Sequence, residues 1–311
     1  MIKRTLYFGN PAYLSVRHSQ LEIRLPEVEK SKSLDPTIKS SAVKQIPIED
    51  IGVVVLDNKQ ITITHGALGA LLDNNVAVIT CDDNRMPIGL MLPLAGNTTQ
   101  SERFRHQIEA SLPLKKQLWQ QTIQAKIANQ SAVLQSSRGV ECGNMEAWVK
   151  QVKSGDSDNL EGRAAAYYWQ NLFNGVKSFH RDKEGVPPNN LLNYGYAILR
   201  AIVARSLVGS GLLPTLGIHH HNRYNAYCLA DDIMEPYRPY VDKLVVEIVD
   251  SGIDISQLNT EIKSKLLTIP VMDVIINGRR SPLMIGVGIT TASLYKCYNG
   301  EIRKIAYPII E

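Results

Sequence analysis

The segment Pro93-Leu-Ala-Gly-Asn-Thr-Thr99 separates two regions of the chain that differ in hydrophobic periodicity. Before this segment, short runs of β-branched and aromatic residues alternate with turn residues, a pattern typical of strands. After it, apolar residues recur at helical spacing, beginning with Phe104, Ile108 and Leu112. The sequence therefore predicts an α+β protein in which a small N-terminal β domain precedes a larger, all-helical C-terminal domain.

The predicted β domain covers residues 1–95 and contains one helix. This helix is expected between Gly66 and Asn74, where the interval between two strand-like runs has room for it. Strands are predicted at Arg4–Phe8, Tyr13–Arg17, Gln20–Leu25, Ile51–Leu56, Ile61–Thr64 and Val76–Thr80.

The predicted helical domain covers residues 96–311. Ser281 followed by Pro282 is a typical helix start, and Gly252 and Gly300 are typical of helix ends. The first helical stretch runs to Val133. Further helices are predicted at Met145–Lys153, Leu160–Phe173, Asn190–Val208, Pro236–Val249, Gln257–Leu267 and Pro282–Tyr298.

The composition is typical of a globular protein. Of 311 residues, 44% are hydrophobic and 21% are charged, which excludes a disordered chain, a collagen-like repeat and a coiled-coil rod. No uninterrupted apolar run reaches the roughly 18 residues that a membrane span requires, so we expect a cytoplasmic protein without membrane contact. The formal net charge is +4, and because residues 1–95 are balanced, the basic excess lies in the second domain.

Common nucleotide and hydrolase motifs do not occur in the sequence. The Gly209-Ser-Gly211 and Gly286-Val-Gly288 segments lack the third glycine of a dinucleotide loop, and no glycine-rich loop ends in Gly-Lys-Ser or Gly-Lys-Thr. An H-E-x-x-H motif and a nucleophile elbow are also missing. These observations argue against an ATPase, a Rossmann enzyme and a zinc protease.

The segment Gly217–Pro239 concentrates residues that bind metal ions. It begins with three consecutive histidines, 219–221, which cannot all point the same way. Further along, Glu235 follows Asp232 by three positions, which places both carboxylates on one face if Asp232 begins a helix. Because large apolar residues surround these carboxylates, burying either of them requires a cation or another partner.

Another embedded carboxylate, Glu161, opens a predicted helix whose small residues permit close packing. One imidazole and two carboxylates, without a thiolate, suit Mg²⁺ or Mn²⁺ better than a structural zinc ion. Glu161, His220 and Glu235 therefore form a candidate metal site. Such a site can neutralise a phosphodiester and activate a hydroxyl group or water for in-line attack.

Simpler roles for the same residues remain open at this point. Glu161 in the first turn of a helix is a natural partner of the helix dipole. Asp232 is equally suited to cap a helix, and Glu235 to form a local ion pair with Arg238. The histidine run alone would also trap metal ions without a specific site.

Several stretches resemble one known family over essentially the whole length of the chain. They are Thr5–Arg17 and Ile46–Leu56 near the start, and Leu192–Arg200, Gly211–His220 and Leu229–Pro239 further on. In this order they resemble the CRISPR-associated adaptation integrases, the larger of the two universal Cas proteins that insert new spacers. Within this family, the chain resembles the variant found in type II systems.

The resemblance implies a metal-dependent DNA integrase and endonuclease with hydrolase-type phosphodiester chemistry. A 3′-hydroxyl of protospacer DNA would be joined into the repeat array by transesterification. The resemblance also implies that Glu161, His220 and Glu235 are catalytic and hold Mg²⁺ or Mn²⁺, with Asp232 beside them. His219 and His221 remain alternatives to His220, because the family usually has fewer histidines here.

The implied partners are double-stranded DNA, a second copy of the chain and a small partner Cas protein, in a heterohexamer-like complex. Residues 1–95 would mediate dimerisation and partner contacts, and residues 96–311 catalysis. Tyr167 and Tyr168 are candidates for DNA contact, but at this spacing one of them is expected in the core. The arginines expected to bind DNA are Arg163, Arg205, Arg223 and Arg238.

Two alternative functions are compatible with the sequence. One is a non-enzymatic DNA-binding scaffold on the same fold, against which the presence of all three expected ligands argues. The other is a general DNA-repair nuclease unconnected with repeat arrays.

Overall fold

The computed structural model describes residues 3–30, 42–173, 175–176 and 179–311. The chain divides into two compact units, Met1–Gly96 and Asn97–Glu311, which we call the N-terminal and C-terminal units. The protein is mixed α/β, with most strands in the first unit and most helices in the second. The predicted order of strands followed by helices is confirmed.

The N-terminal unit contains two four-stranded sheets in its described residues. One sheet has the order β1-β5-β7-β8, in which β1, β5 and β7 are parallel and β8 is antiparallel to β7. The other has the order β4-β3-β2-β6. The strands are β1 (Arg4–Phe8), β2 (Ala12–Arg17), β3 (Gln20–Arg24), β4 (Lys44–Pro47), β5 (Ile51–Leu56), β6 (Ile61–Ile63), β7 (Ala77–Cys81) and β8 (Pro87–Met91).

The core of this unit forms where buried side chains of both sheets meet a helix. Strand β5 is apolar along its length and almost entirely buried, as expected for an inner parallel strand. Helix α2 (His65–Asp73) begins after Thr64, whose hydroxyl accepts a hydrogen bond from the Ala67 amide. Its Leu71 side chain joins the core cluster with Leu14 and Ile51.

The prediction of a single helix in this unit was wrong. A short helix, α1 (Pro26–Lys30), follows β3, and a 3-10 helix covers Ile48–Asp50. Pro26 at the first position and Glu27 in the first turn favour helix initiation at α1, although the segment is too short to show helical periodicity. Strands β4 and β8 were also missed, and Gly89 within β8 weakens its strand pattern.

The C-terminal unit is built around two long helices. Helix α4 contacts α5, α6 and α9, and α7 contacts α8, α9 and α11. The described helices are α3 (Gln100–Glu109), α4 (Leu112–Arg138), α5 (Gly143–Gln151), α6 (Leu160–Leu172), α7 (Asn189–Gly209), α8 (Cys228–Met234), α9 (Arg238–Asp250), α10 (Thr260–Leu266) and α11 (Leu283–Tyr298).

The prediction of an all-helical second domain was wrong in one region. Strands β9 (Asp273–Ile276) and β10 (Arg279–Pro282) form an antiparallel hairpin before α11. The turn consists of Asn277 and Gly278, which have φ angles of 51° and 70° and so meet the requirement of a two-residue hairpin turn. Ser281 therefore belongs to β10 and does not cap the last helix.

Helix α7 is long and apolar enough to cross a membrane by length and composition alone. However, 67% of its most apolar window is buried inside the protein, as in the core helix of a soluble domain. Among the described residues it is the one helix with these properties.

Candidate active site

Three segments of the C-terminal unit bring two predicted ligands together around Lys126. Lys126 lies in the middle of α4, Glu161 in the first turn of α6, and Glu235 in a 3-10 helix that directly follows α8. Lys126 Nζ is 2.7 Å from Glu161 Oε1 and 2.6 Å from Glu235 Oε2. Two carboxylates that are distant in sequence thus contact the same nitrogen atom.

Helix α4 carries Lys126 and also positions the backbone next to Glu235. Trp119 and Lys126 are seven residues apart, so they share one face of the helix. One turn beyond Lys126, the buried Asn129 side-chain amide donates hydrogen bonds to the carbonyl oxygens of Pro236 (2.8 Å) and Pro308 (3.0 Å). Because Pro236 is the residue after Glu235, Asn129 fixes the backbone beside that carboxylate.

The position of Glu161 follows from the way α6 begins. Asn159 adopts a left-handed conformation (φ 51°), and its side-chain oxygen accepts a hydrogen bond from the Gly162 amide. The Asp156 carboxylate accepts a further bond from the Glu161 amide at 3.0 Å. Glu161 lies in the first turn, where a carboxylate is favoured by the helix dipole, but its side chain is also paired with Lys126. The helix dipole is therefore not the only favourable interaction of the Glu161 carboxylate.

Glu235 is a buried, ionised carboxylate held between two cations. Its Oε1 accepts a hydrogen bond from Arg238 Nε at 2.7 Å, so the local ion pair considered from the sequence does form. Burial opposes the charged form of Glu235, but Arg238 and Lys126 outweigh this effect and lower its pKa to about 2. Burial opposes the charged form of Lys126, but its contacts with Glu235 and Glu161 outweigh this effect and raise its pKa.

Asp232 organises the histidine-containing loop. This fully buried carboxylate accepts hydrogen bonds from the backbone amides of Ile218 (2.7 Å), His219 (2.9 Å) and His220 (3.3 Å). A Cβ atom on Gly217 would clash with the carbonyl oxygen of His220 and approach the Asp232 carboxylate. Asp232 thus anchors a tight loop that requires glycine at position 217.

The three consecutive histidines differ in their surroundings. His219 stacks on Trp119 with ring centroids 4.2 Å apart and an interplanar angle of 2°. His220 Nδ1 lies 2.5 Å from Asp232 Oδ1, and this hydrogen bond raises the pKa of the imidazole against the effect of burial. A carboxylate bound to one ring nitrogen fixes the orientation of the other, an arrangement typical of metal-binding histidines. The geometry therefore favours His220 over His219.

The side chains of Glu161, His220 and Glu235 offer ligand atoms of the types that bind divalent cations. Carboxylate oxygens and one imidazole nitrogen suit Mg²⁺ or Mn²⁺. Glu235 Oε2 is buried and receives no well-directed hydrogen bond from the described residues, although Lys126 Nζ contacts it. In the arrangement described, no three His, Cys, Asp or Glu side chains of the described residues group closely enough to hold a metal ion. The cation between the two glutamates is the ammonium of Lys126.

The arginines predicted to bind DNA have different environments. Arg163 and Arg223 are exposed. Arg205 is partly buried, and burial lowers its pKa. Arg238 is largely enclosed and paired with Glu235. DNA contact by each of the four stays a prediction.

Sequence reasoning missed Lys126, although a signal for it is present. Lys126 falls between Ile123 and Ile127, which are buried on the same helix, and it is itself only 8% exposed. A lysine on the apolar face of a helix requires an acidic partner, so its position predicts a buried ion pair. The partners themselves come from distant segments and cannot be read from helical periodicity.

A second buried polar group was also missed. Asp242 on α9 accepts hydrogen bonds from the hydroxyl groups of Tyr168 (3.0 Å) and Tyr196 (2.5 Å). Tyr168 is completely buried, which confirms the expectation that one tyrosine of the 167–168 pair belongs to the core. These three residues join α6, α7 and α9.

Two solved structures share this fold over nearly the whole chain. A casposase bound to an integration product matches with a TM-score of 0.76 at 21% identity, covering 98% of this chain and 92% of that one. A Cas6-RT-Cas1–Cas2 complex matches with a TM-score of 0.72 at 18% identity, covering 97% of this chain and 36% of that one. The fold is thus the class found in casposase and Cas1 structures.

The sequence comparisons specify the family within this class. The family model described as CRISPR associated protein Cas1 matches residues 7–270. The CRISPR-associated endonuclease Cas1 of Neisseria meningitidis serogroup C (strain 8013) is 36% identical over 268 residues, which are 86% of this chain and 83% of the relative. The chain belongs to the Cas1 family of CRISPR-associated proteins, and the resemblance identified from its sequence is confirmed.

Proposed function

We propose that the chain is a metal-dependent DNA integrase and endonuclease of CRISPR adaptation, with Glu161, His220 and Glu235 as its catalytic residues. One observation carries this proposal: carboxylates from two distant helical segments converge on a single cation beside a carboxylate-anchored histidine. Membership of the Cas1 family supports the choice of reaction, and the shared fold with a casposase bound to an integration product supports DNA joining.

The reaction is a transesterification. The 3′-hydroxyl oxygen of protospacer DNA attacks a phosphorus atom at the leader–repeat junction, a new P–O bond forms, and the bond to the departing 3′-oxygen breaks. The attacking hydroxyl releases a proton and the departing oxygen accepts one, so the number of phosphodiesters is unchanged. With water as the nucleophile, the same chemistry cleaves DNA, which is the endonuclease activity.

Glu161, His220 and Glu235 are the residues that would hold Mg²⁺ or Mn²⁺. When bound, such an ion supplies positive charge that stabilises the phosphorane-like transition state. Asp232 keeps the His220 ring in one orientation through Nδ1, which leaves Nε2 as the nitrogen available to the site. Arg238 keeps Glu235 ionised at neutral pH, because it holds the carboxylate pKa far below the usual range.

The proposed partners are double-stranded DNA, a second copy of the chain and a small Cas2-like protein. Two attacks at opposite ends of a repeat require two active sites, which a homodimer supplies, and pairing around a small dimeric partner gives a heterohexamer-like complex. A structural relative was solved within a Cas6-RT-Cas1–Cas2 complex, which supports this choice of partner. We assign dimerisation and partner contacts to residues 1–95, and DNA contact to Arg163, Arg205, Arg223 and Arg238.

A plasmid integration assay tests the proposed function. Supercoiled plasmid is mixed with a short duplex that has free 3′-hydroxyl ends, the small partner protein, and Mg²⁺, Mn²⁺ or EDTA. We expect covalent joining with either metal, none with EDTA, and a loss of at least about 100-fold in Glu161→Ala, His220→Ala and Glu235→Ala. The matched control Glu247→Ala, which alters an exposed side chain, should retain joining.

Gel-shift measurements on the same variants separate chemistry from binding. DNA binding should persist in all three inactive variants. If the wild-type protein binds DNA but joins none of it, with both metals and the partner present, the protein is a scaffold. Cleavage of arbitrary DNA without any joining would instead favour a general repair nuclease.

A further inference from the structure

The ammonium of Lys126 takes the place between Glu161 and Glu235 toward which both carboxylates point. It reaches this place from inside the protein, since its side chain is only 10% exposed, and it contacts both carboxylates at 2.7 Å or less. Lys126 and Arg238 together match the charges of the two glutamates. The pair of carboxylates is therefore electrically balanced without any metal ion.

The two glutamates are held with unequal strength. Glu235 is bound by both Lys126 and Arg238, and its side chain is only 6% exposed. Glu161 is bound by Lys126 and is 25% exposed, and the side chain of His220 is 45% exposed. A cation that enters from solvent thus meets Glu161 and His220 first, and the contact between Lys126 and Glu161 is the easier one to break.

We infer that Lys126 is a built-in counter-ion that competes with the divalent cation for Glu161 and Glu235. It is a positioning residue: it keeps the two carboxylates together in the metal-free protein, and it gives up at least one of them when the metal binds. The two positive charges of a metal added beside an undisplaced Lys126 would repel the ammonium at close range. Lys126 therefore weakens metal binding to the free protein. This inference rests on the proposed metal site at Glu161, His220 and Glu235.

Mn²⁺ binding to the DNA-free protein, measured by titration calorimetry, tests this role. Lys126→Met removes the charge and keeps a side chain of similar length, whereas Lys126→Arg keeps the charge. We expect Lys126→Met to bind Mn²⁺ at least about tenfold more tightly than the wild-type protein, about 1.4 kcal/mol. Lys126→Arg should stay within about threefold of wild type. Lys116→Met, an exposed lysine on the same helix, is the matched control and should be unchanged.

Thermal melting provides a readout that does not depend on activity. Without Lys126, Glu161 and Glu235 repel each other, so Lys126→Met should melt several degrees below wild type in EDTA. Saturating Mn²⁺ should restore most of this loss, whereas the wild-type melting temperature should respond much less. If Lys126→Met does not fold, Lys126→Gln removes the same charge with a polar side chain and is measured in its place.

The outcomes distinguish this inference from the proposed function. Equal or weaker Mn²⁺ binding in the folded charge-removing variant would overturn the role of Lys126 while leaving the metal site intact. If neither protein binds Mn²⁺ at millimolar concentration, the proposed metal site itself fails. Glu161→Gln in the Lys126→Met background should abolish the tight binding, and its persistence would place the metal elsewhere.

Discussion

The short hydrogen bond of 2.5 Å between His220 Nδ1 and Asp232 Oδ1 links an exposed histidine to a carboxylate that is completely buried. The same carboxylate also accepts hydrogen bonds from three backbone amides of the histidine loop. The position of the imidazole is thus set by the helix that carries Asp232, and not by the loop alone. Asp232 acts on the site through His220.

Asp232→Asn should impair DNA joining without abolishing folding. The amide keeps one acceptor oxygen but loses the charge that binds several donors, so the loop and the His220 ring lose their fixed orientation. We expect joining to fall by about 10- to 100-fold, as for other partners of metal-binding histidines. In the metal-free protein, NMR titration should show a lower His220 pKa, because the Asp232 hydrogen bond raises it in the wild type.

Asp231→Asn is the neighbouring control for this prediction. Asp231 instead pairs with Arg200, whose Nε lies 2.7 Å from Asp231 Oδ1. It should leave the His220 pKa near the wild-type value. A normal His220 pKa together with normal joining in Asp232→Asn would contradict the anchoring role.

Glu235→Gln should destabilise the protein more than Glu161→Gln does. Glu235 is buried between two cations, and neutralising it leaves Lys126 and Arg238 short of compensating charge. Breaking a buried ion pair costs about 3–5 kcal/mol, whereas an exposed pair is worth less than about 1 kcal/mol. Glu161 is partly exposed, so its variant should lose an intermediate amount. Urea unfolding at neutral pH in EDTA measures both, and the reverse order would contradict this account.

The N-terminal strands could largely be predicted from the sequence, because the alternation of apolar runs and turns is local. Strands Arg4–Phe8 and Ile51–Leu56 have the predicted bounds. Prediction failed where the local signal was short or mixed. The hairpin around Asn277-Gly278 has an ideal turn, but it directly precedes an apolar helix. Its strands were not predicted, because the whole second domain was expected to be helical. The Asn277-Gly278 pair is a hairpin signal in the sequence, but the strands beside it are only four residues long, so their own pattern is weak.

The candidate site was only partly predictable for a related reason. Glu161, His220 and Glu235 were singled out because their residue types stand out in their segments. Lys126 did not stand out, since its importance depends on carboxylates that reach it from other helices. The choice among the three histidines also needed the structure, because adjacent residues with identical side chains differ only in their contacts.

Gly217→Ala should reduce both stability and DNA joining. A Cβ atom at this position would overlap the His220 carbonyl and lie 2.8 Å from Asp232 Oδ2, so the loop must move away from its anchor. Such overpacking typically costs about 1–3 kcal/mol. Gly143→Ala is the control, because a Cβ atom there meets nothing within 4 Å. Thermal melting and the joining assay should separate the two variants, and equal behaviour would show that the loop tolerates the added methyl group.

The buried Asp242 should make stability depend on pH. Burial raises its pKa to about 7, against the opposing hydrogen bonds of Tyr196 and Tyr168. The unfolded chain ionises this group near pH 4. Because the folded pKa is the higher one, the folded protein binds more protons between these values. The stability contributed by protonated Asp242 is therefore complete below about pH 4 and is lost as the pH rises to about 7.

Asp242→Asn removes this titration and should flatten the pH dependence. Relative to the variant, the wild-type protein should lose about 2 kcal/mol of unfolding free energy between about pH 5 and pH 7.5. Urea unfolding of both proteins at the two pH values measures the difference, and other titrating groups cancel because both proteins share them. If the difference does not change with pH, Asp242 is ionised across the range, and its negative charge is stabilised by the two tyrosine hydroxyls that contact it.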